Sequence, residues 1–256
     1  MARRRGPLLG AAGVAGALLA WELLSRTGVM PPRFFPPFSL TLEAIAGEAA
    51  QPPFWSDVMS TLEGWAVGLA LAAAIGVPAG VLIGSSLPAY RAVRVLIEFL
   101  RPIPSVALIP LAVLVYGTGF KTKLFLVVFA SFWPLLFQAI YGVQDVDPVA
   151  EDTARAFGFG RWRRLYLVTL PSAAPYIATG LRISSAVALI LAVTAELVVG
   201  APGIGKMISA AQSGGDYALM YGLIMVAGLL GLVLNSAFTS LEARVLRWHP
   251  SQREAV

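Results

Sequence analysis

Long uncharged apolar runs alternate along this chain with short stretches where charges and prolines collect. A bilayer core of about 30 Å is crossed by about 20 helical residues, so runs of this length read as membrane spans. Six are predicted, at 8–24, 58–84, 95–117, 121–144, 176–199 and 218–240. Between the first two lies an outside segment, 25–57, rich in proline and aromatic residues. Within it Leu40, Leu42, Ile45, Ala46 and Ala49 predict a short amphipathic helix at 40–50, lying along the outer membrane surface.

Composition sharpens this pattern. With 57% apolar and 13% charged residues over 256 positions, the chain departs from a soluble domain, where about a quarter of residues are charged. Disorder needs the opposite balance. Six spans leave too little sequence for a second soluble catalytic domain. There is no cysteine and one histidine, His249 near the C-terminus, so thiolate catalysis and Cys- or His-based metal centres are not expected. No His, Cys or paired acids gather at one membrane depth, which argues against an embedded enzyme. The reading is an all-α integral membrane protein with no metal and no catalytic residue.

The net charge of +5 raises the question of nucleic acid. Its distribution answers. Arg3, Arg4, Arg5, Arg91, Arg94, Arg155, Arg161, Arg163, Arg164, Arg244, Arg247 and Arg253 fall on the side of the N-terminus, while Arg26, Arg33, Lys121, Lys123 and Lys206 fall opposite and Arg101 and Arg182 fall within spans. Positive residues favour the cytoplasmic side, which places both termini there and leaves no basic face for nucleic acid. Arg3 to Arg5 before an apolar run also fits a signal peptide. The small-residue site Ala15-Gly16-Ala17 lies inside that run, so an uncleaved first helix is expected.

Span two repeats a small residue at every fourth position: Gly64, Gly68, Ala72, Gly76, Gly80 and Gly84. Such a ladder lets helix backbones approach closely in lipid. Pro78, Pro102, Pro104, Pro110 and Pro134 predict kinks or breaks, tolerated where neighbouring helices satisfy the freed carbonyls.

The cytoplasmic loop after span four reads DPVAEDTARAFGFGRWRRLYLVTLP from Asp147 to Pro171. Asp147 suits an N-cap, Pro148 a first helical position, Glu151 and Asp152 the positive end, and Gly158 the stop. A helix of about two turns follows, with Val149, Thr153, Ala156 and Phe157 near one face. Beyond it Phe159 and Trp162 lie among Arg161, Arg163 and Arg164. Anchoring at lipid headgroups and docking into a groove on a cytoplasmic protein both suit this composition.

Charges within spans are costly and mark functional candidates. Arg182 and Glu196 are fourteen residues apart in span five. At about 100° and 1.5 Å per residue they share nearly one face, about 21 Å apart along the axis. This face, with Ser184, Ser185 and Thr194, borders a translocation path in one reading. In the other, Arg182 reaches the inner headgroups and Glu196 pairs with a neighbouring helix. Glu22 and Glu63 lie near outer span ends, and Glu98 with Arg101 is expected to form a structural pair.

Gly200-Ala201-Pro202-Gly203-Ile204-Gly205-Lys206 imitates a phosphate-binding loop. Met207 follows where Ser or Thr would hold magnesium, no strand precedes it, and it lies outside the cell. Nucleotide binding is rejected there.

Asp152-Thr153-Ala154, Gly158, Val168 and Leu170-Pro171 stand at the spacing of E-A-A-x3-G-x9-I-x-L-P, and the loop resembles that of binding-protein-dependent ABC importer permeases. Asp, Thr and Val replace Glu, Ala and Ile. Arg101-Pro102-Ile103-Pro104, Ala107-Leu108-Ile109-Pro110, Tyr116-Gly117-Thr118-Gly119, Gly180-Leu181-Arg182, Ala195-Glu196-Leu197 and the 200–205 loop look like the nitrate, sulfonate and taurine subgroup, with the likeness running from about 58 to 240. The resemblance implies the type I importer permease fold. Residues 1–57 then carry the first helix and outside segment, 58–240 the permease core with coupling loop 145–171, and 241–256 a cytoplasmic tail. It also implies an ATPase-coupling role for Glu151, Asp152, Thr153, Ala154, Arg155, Phe157, Gly158 and Phe159. Implied partners are a second copy, two cytoplasmic ATPase subunits holding ATP and magnesium, and an extracytoplasmic solute-binding protein. Similar permeases carry sulfonates, nitrate or taurine, and others riboflavin, thiamine-precursor pyrimidines or aromatic acids. A secondary transporter or channel would also explain the helices and buried charges, but it has no need of the capped aromatic loop, and no inverted repeat is visible.

Overall fold

The computed structural model describes residues 5–100 and 102–247, and every regular element among them is helical. In chain order these are α1 (Arg5–Arg26), α2 (Phe38–Ala49), α3 (Pro52–Gly84), α4 (Leu87–Leu100), α5 (Ile109–Tyr116), α6 (Phe120–Gln144), α7 (Pro148–Ala156), α8 (Arg161–Arg164), α9 (Leu170–Val199), α10 (Ile204–Gly214) and α11 (Tyr217–Val245). A π-helical stretch, Leu165–Thr169, joins α8 to α9. Among the described residues α3, α6, α8 with α9, and α11 are long and apolar enough to cross a membrane. A fifth crossing is available if α4 and residues 105–116 act as one broken span. α1 covers the expected first span as a 22-residue helix.

The expected span at 95–117 is broken, as its prolines predict. α4 and the segment 105–116 meet at 79°, and a 3-10 turn, Ser105–Leu108, precedes α5. Pro102, Pro104 and Pro110 explain the break, since each lacks an N–H and the residue before a proline is pushed out of the helical region. The fifth expected span also reaches further back than 176, because α8 and the π-stretch run on into α9.

α3, α6 and α9 make the core. The glycines of α3 all face α6, in a register that runs from Gly64 against Lys123, through Gly68 against Val127 and Gly76 against Leu135, to Gly84 against Val143. A β-carbon on Gly80 would stand 2.6 Å from that of Ala139 and 2.7 Å from the carbonyl oxygen of Leu136. No larger residue fits at this separation. Because the register advances in the same direction on both helices, α3 and α6 are parallel, and residues 85–119 must return the chain between them. α9 runs antiparallel to α6: Gly142 meets Ala173 and Tyr176, Gly180 meets Gln138, and Ser184 Oγ donates to Ser131 O at 2.8 Å.

The predicted amphipathic helix is α2, and it docks on the bundle. Thr41 is buried, and a β-carbon on Gly222 of α11 would stand 2.9 Å from that of Ile45. α1 is tied to the same end. Trp21 Nε1 donates to Pro36 O at 3.0 Å, Ser25 Oγ donates to Phe35 O at 2.6 Å, and Glu22 accepts from Ser39 N at 3.0 Å. Glu98 is held by Arg94 at 2.7 Å, within α4. Its expected partner Arg101 lies outside the described residues, as do Arg3, Arg4, His249 and Arg253.

Candidate functional site

Two places carry chemistry, and they lie at opposite ends of the bundle: α7 follows the end of α6, α10 follows the end of α9, and these two helices are antiparallel.

At the first end, sequence dictates α7 closely. Asp147 accepts from Val149 N at 2.8 Å as the N-cap and Pro148 opens the helix. Glu151 and Asp152 bind Arg155 at 3.0 and 3.1 Å, one turn on. The helix ends in a Schellman motif, in which Phe159 N bonds Ala154 O at 3.0 Å and Gly158 N bonds Arg155 O at 2.9 Å. Gly158 has φ +74°, the left-handed region that glycine adopts without strain. Ala154 is the buried residue of α7. Val149, Thr153, Ala156 and Phe157 are all exposed, Val149 at 70% and Phe157 at 77%, so among the described residues none covers that face. Phe159 is half-buried beneath the guanidinium of Arg163, which stands 4.3 Å from its ring centroid. Beside the helix, a cavity of about 340 Å³ opens between the end of α3 and Arg161, Trp162, Arg164 and Leu165. Tyr176 donates to Asp145 at 2.6 Å and fastens the start of α9 to the end of α6 next to this loop.

At the other end a buried charge cluster joins four helices. Lys123 Nζ lies 3.0 Å from Glu196 Oε1, with Lys123 at 1% and Glu196 at 0% exposure. The ammonium also donates to Ser60 O at 2.8 Å and Pro202 O at 2.9 Å, so its three hydrogens are all used. Glu196 Oε2 accepts from Thr61 Oγ1 at 2.9 Å and from Gly205 N at 3.0 Å. Thr61 Oγ1 in turn accepts from Ile204 N at 3.0 Å, and Asp57 accepts from Gly203 N at 3.0 Å. The first amides of α10 therefore face Asp57, Thr61 and Glu196, groups that suit the positive end of a helix. The loop that resembles a phosphate binder does hold an anion, but the anion is the chain's own carboxylate. Glycine is required: a β-carbon on Gly203 would fall on the carboxylate of Glu196, and one on Gly205 on Val193 O.

The five residues of the expected path reach different neighbours. Glu196 turns into the cluster and pairs with α6. Arg182 lies 3.7 Å from Glu242 of α11, a charge contact too long for a hydrogen bond. Ser184 bonds α6, Ser185 is buried with its carbonyl accepting from Trp65 Nε1 at 3.0 Å, and Thr194 Oγ1 donates to Ile190 O at 2.7 Å. Lys123, grouped with the outside charges by its position near a span end, is buried. Its role has one trace in the sequence, a lysine that begins an apolar run with no nearby acid. Asp57 and Thr61 carry no such trace, because their partners lie more than a hundred residues away.

The chain matches the family model described as "Binding-protein-dependent transport system inner membrane component" over residues 76–247. It is 30% identical to the taurine transport system permease protein TauC of Escherichia coli (strain K12), covering 92% of this chain and 88% of that one. It is also 30% identical to the nitrate import permease protein NrtB of Leptolyngbya laminosa (75% and 69% covered) and to the bicarbonate transport system permease protein CmpB of Synechococcus elongatus (94% and 90%). Among solved structures, the inward-facing MetNI methionine ABC transporter aligns with a TM-score of 0.66 at 20% identity, over 76% of this chain and 98% of that one. An amino acid ABC transporter with histidines aligns at 0.63 and 19%, over 79% and 96%. These two likenesses are of fold.

Proposed function

The chain belongs to the family of binding-protein-dependent transport system inner membrane components, and from that premise we propose that it is the membrane-spanning subunit of an ATP-driven importer for a small anion. It catalyses no reaction itself. Two cytoplasmic ATPase subunits bind ATP and magnesium, a solute-binding protein delivers the cargo from outside, and a second copy of this chain completes the path. The membrane is the bacterial plasma membrane, with both termini and α7 in the cytoplasm, in keeping with the excess of basic residues on that side.

One observation carries this reading: α7 is capped at both ends and, among the described residues, presents Val149 and Phe157 outward uncovered. A short helix with an apolar face left open at the end of a bundle fits a groove on a partner. The ATPase subunits move this helix as they close on ATP. The Asp145–Tyr176 bond carries the movement into α6 and α9 together, rocking the bundle from an inward-facing to an outward-facing state.

Gly158→Pro tests the reading. Proline cannot take φ +74° and has no N–H to bond Arg155 O. The substituted chain is expected to reach the membrane and lose its ATPase subunit on co-purification. Retained assembly with ATP-dependent uptake would overturn the coupling role. The substrate reading rests on relatives named for taurine, nitrate and bicarbonate. It is tested by reconstituting the chain with ATPase and candidate binding proteins and scoring which ligand stimulates ATP hydrolysis.

A further inference from the structure

The cavity of about 340 Å³ beside α7 is walled by the last turn of α3 on one side and by α8 and the π-helical stretch on the other. Arg161, Leu165 and Thr169 follow one another at every fourth position and line it together with Arg164 and Trp162. Among the described residues neither guanidinium has a hydrogen bond or an ion pair. The one acid among the lining residues is Glu151, and Arg155 already holds it at 3.0 Å. Ser85 Oγ is spent on Val81 O at 2.6 Å. The cavity therefore offers two free cations, with the indole N–H of Trp162 and the hydroxyl of Thr169 also unbonded among the described residues. Two guanidiniums three residues apart select an anion, and their forked donors fit phosphate oxygens.

Depth decides where that phosphate comes from. Gly84 of α3 faces Val143, next to the last residue of α6, so the cavity is level with the final turn of α6. α6 has 25 residues and is about 37 Å long, against about 30 Å for a hydrocarbon core, which leaves its end turns among the lipid headgroups. In the two walls Leu82 and Leu167 are exposed apolar side chains, and Trp162 and Tyr166 are exposed aromatics of the kind that gather at membrane interfaces. A free phosphate ion would leave these apolar groups uncovered. A phospholipid covers them with its acyl chains and brings its phosphate to the arginines.

We propose that this cavity is a headgroup site for an anionic phospholipid of the inner leaflet, with Arg161 and Arg164 on its phosphate and Leu82 and Trp162 against its glycerol and acyl region. The choice of leaflet rests on the topology of the importer reading, but the binding is a property of this chain alone. Arg163 marks the limit of the site, since its guanidinium stacks on Phe159 at 4.3 Å and is not among the lining residues. The cytoplasmic loop then divides its work: Val149 and Phe157 are left for a protein groove, and α8 is fastened to the membrane. Glu151 lines the same cavity, so a seated lipid touches α7 and makes the coupling helix responsive to the charge of the bilayer.

The test uses the full chain in phosphatidylcholine vesicles doped with phosphatidylglycerol or phosphatidylcholine whose acyl chains are brominated, since bromine quenches nearby tryptophans. The Trp162 component is taken as the difference between wild type and Trp162→Phe. Each arginine near an anionic lipid is worth about five-fold in binding, so brominated phosphatidylglycerol should be preferred to brominated phosphatidylcholine by about ten-fold or more. Arg161→Gln and Arg164→Gln should each lower that preference about five-fold, whereas Arg163→Gln should leave it in place. Absence of a preference in wild type, or an equal fall in all three variants, would overturn the site: the first denies anion selection and the second reduces it to diffuse surface charge. Inorganic phosphate in the buffer should not displace the lipid; if it abolishes the preference, the arginines take free phosphate and the lipid assignment falls. An ATPase subunit is the other surface available to them. If the variant with both Arg161→Gln and Arg164→Gln keeps the lipid preference but loses its ATPase on co-purification in detergent, the arginines belong to that contact and the lipid site is overturned. Because the quenching needs no partner, absent ATP-dependent uptake by the wild type would remove the importer reading and leave the quenching result to judge the cavity.

Discussion

Lys123 and Glu196 sit 3.0 Å apart, sealed from solvent, on helices that meet nowhere near each other in sequence. A buried charge that loses its partner costs about 3–5 kcal/mol, while replacing both charges is far less harmful. Lys123→Met and Glu196→Gln should each lower the thermal stability of the purified protein substantially. The double substitution should cost clearly less than the two added together. Simple additivity in a double-mutant cycle would deny the pair its role.

The glycine loop around Glu196 gives a second, sharper contrast. Gly200 ends α9 at φ +75° with open space around it, and alanine there meets only the left-handed strain of about 1–2 kcal/mol. Gly205 has ordinary helical backbone but no room. Gly205→Ala must displace Glu196 or Val193 and should in addition loosen α10, seen as faster proteolysis within residues 200–216. If both substitutions left that segment equally resistant, the cluster would not be what holds it.

Packing of α3 on α6 predicts opposite signs for one kind of change. Gly80→Ala overfills a close contact with Ala139 and Leu136 and should cost about 1–3 kcal/mol. Gly13→Ala on α1 meets nothing within 4 Å and should be neutral or stabilising by up to about 1 kcal/mol, because alanine prefers the helix. Thermal melts of the two variants against wild type check this.

At the other end, Phe157→Asp changes a side chain that touches little of its own chain. Stability should move by no more than about 0.5 kcal/mol, as for surface substitutions generally. ATP-dependent uptake and co-purification of the ATPase should both be lost. A variant that melts like wild type and still transports would exclude Phe157 from the docking face.

By itself, the sequence determined what is local or periodic. Apolar runs of about 20 residues specify membrane helices because the bilayer satisfies no backbone group. The start and the stop signal of the loop helix were readable, since Asp147, Pro148 and Gly158 act on neighbours within a turn or two. The four-residue spacing of small residues in α3 announced a close helix contact. What α3 would contact was not legible: only the folded bundle matched Gly64 to Lys123 and Gly84 to Val143. Tertiary structure likewise turned Glu196 into a cluster with Lys123 and Thr61 and brought Asp57 to the glycine loop. Helical periodicity gives a residue its face, but which neighbour waits on that face depends on how distant helices pack. In lipid, where apolar surface is equally content against tails, that choice falls to glycine gaps and to the few polar groups that must find one another.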